Sequence, residues 1–80
     1  MPTPLPLHEL PPLSSLKGFE AAARLLSLRA AAQELHLTHP AIVNQIQRLE
    51  ESLQVKLFAR EGRYVALTPA GERFYPVVRE

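Results

Sequence analysis

Two side-chain amides, Asn44 and Gln47, lie three residues apart in the stretch "THPAIVNQIQRLEESL", residues 38–53. Each amide offers a hydrogen-bond donor and an acceptor together, the pair that adenine presents through N6 and N7 in the major groove of DNA. Val43 beside them has the size to meet a thymine methyl, and equally suits the edge of a core. Further along, Arg60 and Arg63 bracket Glu61-Gly62. Guanidinium groups so placed at a hairpin tip suit phosphate or the minor groove. On an arbitrary helix or hairpin all of these residues would simply be solvated, so the elements that carry them decide between the two readings.

Other chemistries find little support. The chain has no cysteine, which excludes disulfides, a thiol nucleophile and cysteine metal sites. His36 and His39 are three apart, but a break in the helical pattern separates them. No aspartate or cysteine is present to complete a metal shell with these two and His8. His39 is better placed to donate to a base or a phosphate. Ser14, Ser15, Ser27 and Ser52 lack histidine and acid partners in their sequence context. Gly18, Gly62 and Gly71 are too scattered for a phosphate-binding loop. No catalytic residue, cofactor or metal is expected.

The 80 residues suffice for one small domain, and 46% hydrophobic with 21% charged residues is a globular composition. Nine Lys and Arg against eight acidic residues leave a net charge of +1. That balance does not by itself announce a nucleic-acid binder, so any such case rests on where the charges sit. No apolar run approaches the ~20 residues that span a bilayer. The start, "MPTPLPLHELPP", lacks the basic end and apolar centre of a signal peptide, which makes the cytoplasm the default location and excludes a membrane partner. Residues 1–12 hold five of the eight prolines and read as a flexible, extended arm.

Helical spacing begins at Ser14. Leu16, Phe19, Ala23 and Leu26 form one apolar stripe, with Ser14 or Ser15 as cap. A short second helix is expected over Arg29 to Leu35, capped by Ser27, with Ala31, Ala32 and Leu35 as its inner face. The alanines at 21–23 and 30–32 allow close approach of these two helices. "HLT" then interrupts the pattern: His36 tolerates a left-handed corner, Leu37 plugs the angle, and Thr38 caps the next helix with Pro40 in its first turn. That third helix runs to about Leu53, its inner row being Ile42, Ile46, Leu49 and Leu53. Asn44 and Glu51 fall opposite this row, flanked by Pro40 and Gln47 on one side and Arg48 on the other. A short helix, a three-residue corner and a longer helix make a helix-turn-helix.

Two β-prone segments follow, Lys56 to Arg60 and Arg63 to Leu67, about a turn at Glu61-Gly62. Phe58, Val65 and Leu67 are expected to pack under the helices. Thr68-Pro69 opens a last helix, which Pro76 should kink or weaken. Its apolar residues Phe74, Tyr75, Val77 and Val78 suit burial against a second copy of the chain, matching a two-fold DNA site. The fold class expected is therefore mainly α: a winged helix-turn-helix, with a three-helix core plus a β-hairpin wing over 13–67, followed by a C-terminal linker helix over 68–80.

The span from about Leu13 to Pro76 resembles the N-terminal DNA-binding domain of LysR-type transcriptional regulators. The resemblance is carried by the Ala-Ala of the second helix, "QIQRLEESL", "LFAREGR" and "LTPAGE" in order. "LPPLSSLKGFEAAAR" and "GERFYP" look most like the branch of the glycine-cleavage activator and the β-lactamase inducers. The resemblance implies a third helix in the major groove, a hairpin at the neighbouring minor groove, and a last helix that pairs two protomers on an interrupted palindrome of double-stranded DNA. It makes His39, Pro40, Val43, Asn44 and Gln47 the groove-facing set. Thr38, Arg48, Arg60 and Arg63 become the backbone and wing contacts. A small-molecule effector would belong to a C-terminal domain not present here.

The departures concentrate on the reading surface. Val43-Asn44 stands where Ser-Arg is common, Gln47 where a basic residue is frequent, Arg29 where a Thr usually stands, and Ala30 where Arg or Lys is frequent. Gln54 replaces a usual Gly. The expected function is sequence-specific DNA binding and transcriptional regulation as a dimer. The rival, which the near-neutral charge favours, is a winged-helix protein-interaction module without a working DNA surface.

Overall fold

A computed structural model describes residues 13–62 and 64–79. The expected arm at 1–12 and the wing residue Arg63 lie outside the described residues. In chain order the elements are α1 (Leu13–Leu25), α2 (Leu28–Glu34), α3 (His39–Leu53), β1 (Phe58–Glu61), β2 (Tyr64–Leu67) and α4 (Pro69–Arg79). Three helices, an antiparallel hairpin and a closing helix make the winged helix-turn-helix anticipated from the sequence.

Local signals set most boundaries. Ser27 caps α2 by accepting from the Ala30 N–H at 3.1 Å, and Thr38 caps α3 by accepting from the Ala41 N–H at 3.2 Å. Between them His36 is left-handed (φ 58°). The His36 N–H donates to Gln33 O and the Leu37 N–H to Ala32 O, a Schellman closure that seats Leu37 against the core. Gln54 closes α3 in the same way, at φ 55°, with the Gln54 and Val55 N–H groups donating to Glu51 O and Glu50 O.

Two clusters form the core. Ala21 and Ala22 of α1 meet Ala31 and Ala32 of α2 beneath Ile42 and Ile46 of α3, so the small residues do let these helices pack closely. Phe19, Ala23, Leu49 and Leu57 form the second cluster, which α4 and Leu67 cover. Phe58 touches both clusters, and its ring centroid lies 5.4 Å from that of Phe19. At ~1.5–3 kcal/mol for each large apolar side chain removed from water, these few residues dominate stability.

Several expectations are corrected at element ends. Ser14 and Ser15 lie within helix α1 and neither makes a capping hydrogen bond among the described residues; Ser15 is buried with its hydroxyl unpartnered. Leu26 leaves the stripe because the chain must reverse within two residues. It takes φ 52°, its N–H closes α1 on Ala22 O at 2.8 Å, and its side chain is 44% exposed. Leu53 is 37% exposed, since the turn at Gln54 diverts the chain and Leu57 is buried beside Leu49 instead. In the wing, Glu61 pairs with Tyr64. Glu61 is thus part of β1, so the turn begins at Gly62, one position later than expected, with Gly62 supplying φ 63°. The helix α4 continues through Pro76 to Arg79, although Pro76 has no N–H for the Glu72 carbonyl.

Candidate nucleic-acid interface

The outer face of α3 is built by its inner one. Burial of Ile42, Ile46 and Leu49 fixes the helix about its axis, and the 3.6-residue period then turns Asn44, Gln47, Arg48 and Glu51 outward, all exposed. Val43 sits at the boundary, half-buried against the α1–α2 cluster. Thr38, His39 and Pro40 are exposed at the N-terminal end. The Thr38 oxygen accepts the capping bond, which leaves its O–H available to donate outward.

The wing stands beside this face. Arg60 is exposed on β1 opposite Val65. Val43, Gln47 and Arg60 line one groove of about 360 Å³ between α3 and the hairpin. His39 and Arg60 line a second groove, of about 830 Å³, with Ser27, Arg29 and Tyr64. Of the nine residues anticipated as DNA contacts, Arg63 alone falls outside the described residues. Four of the other eight, His39, Val43, Gln47 and Arg60, share these two grooves. Thr38, Pro40, Asn44 and Arg48 are exposed on or next to α3 but line neither.

What holds the wing to α3 was not anticipated. Glu50 is buried one step from the inner row, and its Oε2 accepts from the Leu57 N–H at 2.8 Å and the Phe58 N–H at 3.2 Å. Lys56 Nζ lies 3.9 Å from Oε1. The far end of the hairpin is tied as well. Thr68 Oγ1 donates to Lys56 O at 2.6 Å and accepts from the Gly71 N–H at 3.1 Å, capping α4. A Cβ on Gly71 would collide with the Leu57 carbonyl, so glycine is required where α4 crosses the strand entry. The signal available in the sequence was a carboxylate next to an apolar row, seven residues before its backbone partner. Arg29 and Tyr64 were also missed as groove residues.

Away from the grooves one arginine is paired twice. Arg24 donates to Glu20 and to Glu34, and these hydrogen bonds raise the Arg24 guanidinium above its ordinary range while Arg24 holds the Glu34 carboxyl below its own. Among the described residues no cluster of three metal-ligating side chains occurs, and no helix is long and apolar enough to cross a membrane.

On α4, Phe74, Tyr75 and Val78 pack half-buried on the domain's own core. Phe74 and Tyr75 lie 5.3 and 6.3 Å from the Phe19 ring. Val77, by contrast, is 67% exposed.

Comparison with known proteins places this geometry. The profile of the bacterial regulatory helix-turn-helix protein, lysR family, matches residues 13–72. The HTH-type transcriptional regulator TrpI of Pseudomonas aeruginosa is 52% identical over 66 residues, covering 82% of this chain and 22% of that protein. The glycine cleavage system transcriptional activator of Escherichia coli K12 is 45% identical over 71 residues, covering 89% of this chain and 23% of that one. The chain thus spans under a quarter of these relatives' length. Among solved structures, the CbnR_DBD–DNA complex superposes with a TM-score of 0.81 at 40% identity, covering 85% of this chain and 78% of that one.

Proposed function

The chain belongs to the lysR family of bacterial regulatory helix-turn-helix proteins, and from that premise we propose that it binds double-stranded DNA sequence-specifically and regulates transcription. The observation that carries this reading is the outward face of α3. It is polar and exposed, locked in rotation by three buried residues, and it borders a groove shared with the arginine of the wing. The neighbour CbnR_DBD was solved bound to DNA, which supports the same use of the fold.

In this reading α3 enters the major groove. Asn44 and Gln47 read adenine, Val43 borders a thymine methyl, and His39 and Pro40 complete the groove-facing set. Thr38 and Arg48 contact phosphate from either side, while Arg60 and Arg63 bring the wing to the adjacent minor groove. Two protomers present two such helices to an interrupted palindrome. Pairing occurs through α4, where Val77 stays exposed beside Phe74, Tyr75 and Val78. The segment over residues 13–67 is the DNA-binding unit and 68–80 begins the linker. A small-molecule effector belongs to the part of the relatives' length that this chain does not span.

Selection of bound sites from random duplex DNA tests the proposal. The expected result is salt-dependent binding with adenine enriched opposite Asn44 and Gln47. No binding at low salt would leave the protein-interaction module as the better account. Guanine enriched opposite Asn44, and unchanged by Asn44→Ala, would overturn the assigned reading. Sedimentation showing only monomer at micromolar concentration would remove the dimer for this chain.

A further inference from the structure

The groove between α2 and the wing brings Arg29, a cation outside the reading face of α3, together with the wing arginine Arg60. Arg29 is exposed in the first turn of α2. A cation there opposes the helix dipole, and the turn contains no acidic residue to offset it. Among the described residues no carboxylate lies within ion-pair range of Arg29, whereas Arg24 is paired with Glu20 and Glu34 and Lys56 approaches Glu50. No ion pair within the fold therefore accounts for an arginine at this position.

The surroundings supply one. Arg29 lines the groove of about 830 Å³ with His39 from the start of α3 and with Arg60 and Tyr64 from the two wing strands. Among the described residues no acidic side chain lines it. Arg29 and Arg60 come from separate elements, so the groove is cationic on both the α2 and the wing side. Tyr64, 62% exposed, adds a hydroxyl at the rim. The chemistry matches a phosphodiester strand: fixed positive charge, neutral donors and no competing carboxylate.

We propose that Arg29 is a phosphate-contacting residue which, with Arg60 and His39, holds one DNA backbone strand in this groove and supplies the charge that the neutral Val43-Asn44-Gln47 face lacks. The inference rests on the DNA-binding reading and deepens it. Affinity is drawn from the flank of α3 and selectivity from its centre. Arg29 thereby trades some helix stability for binding, so its removal moves the two properties in opposite directions.

Fluorescence anisotropy with a random-sequence duplex of about 30 base pairs, titrated across salt, tests this. For Arg29→Ala the slope of log K against log salt should fall by about 0.9 per bound protomer, and affinity by about eightfold per protomer at 0.1 M salt. Arg29→Lys should recover most of the slope, because a phosphate accepts a point charge. Arg73→Ala removes an equal charge from an exposed position on α4 outside the groove and should keep the wild-type slope. The melting temperature of Arg29→Ala should be unchanged or raised, which separates lost contact from lost fold. An unchanged slope in Arg29→Ala overturns the proposal, as does an equal loss in Arg73→Ala. Wild-type protein that fails to bind the duplex at all overturns the DNA-binding reading itself.

Discussion

The two faces of α3 obey different constraints. Ile42, Ile46 and Leu49 are enclosed by side chains from α1, α2 and the wing entry, and any residue there must match a fixed volume. Asn44, Gln47 and Arg48, on the other side of the same helix, are exposed, with Gln47 bordering the groove to the wing, and no core packing dictates what they are. The inner face can therefore be read from spacing alone. The outer face is free to carry information about a partner.

That contrast predicts opposite responses to substitution. Ile42→Ala should cost about 2–5 kcal/mol through lost burial and a residual cavity, a large share of what holds so small a domain together. Urea denaturation measures it, and a loss under 1 kcal/mol would mean that the inner face is less enclosed than its burial indicates. Glu50→Ala should cost about 2–3 kcal/mol by leaving the Leu57 and Phe58 N–H groups without their acceptor. Hydrogen exchange should show those two amides losing protection before the amides of α3 do.

On the outer face, Asn44→Ala should shift the unfolding midpoint by no more than about 0.5 kcal/mol in stability. It should remove about 1–3 kcal/mol of discrimination at one base pair, seen as a flattened preference in site selection. An equal loss on every sequence would turn Asn44 from a reader into a backbone contact. The smallest effect has the opposite sign. Gln54→Gly should stabilise by about 0.5–1 kcal/mol, because a left-handed residue closing α3 suits glycine better than a residue carrying a Cβ.

How much was legible in advance follows from the range of the interaction concerned. Ser27, His36, Thr38 and Pro40 act on backbone within a few residues of themselves, and each does what its chemistry announces. The inner row of α3 was legible because its period is helical. Leu26 and Leu53 fit the same period but sit where a helix closes, and the position of the closing turn, not the period, exposes them. The wing turn fell one residue late because either Glu61-Gly62 or the following pair places Gly62 where its positive φ is useful. Glu50 was illegible for a different reason: its partners exist only after the chain has turned twice, at Gln54 and into β1. Phe74, Tyr75 and Val78 looked like a surface for a second copy, yet part of each is already used on the domain's own core.

The Glu50 contact has a metrical consequence. One carboxylate grips the strand entry through two consecutive amides, which ties the start of the hairpin to α3. A protomer of this kind is a ruler. In the proposed DNA-binding reading, the offset between what its helix touches and what its wing touches is set when the domain folds, in ångströms, before any DNA arrives. Variation in the length of a recognised site would then have to come from the distance between the two rulers, and never from within one of them.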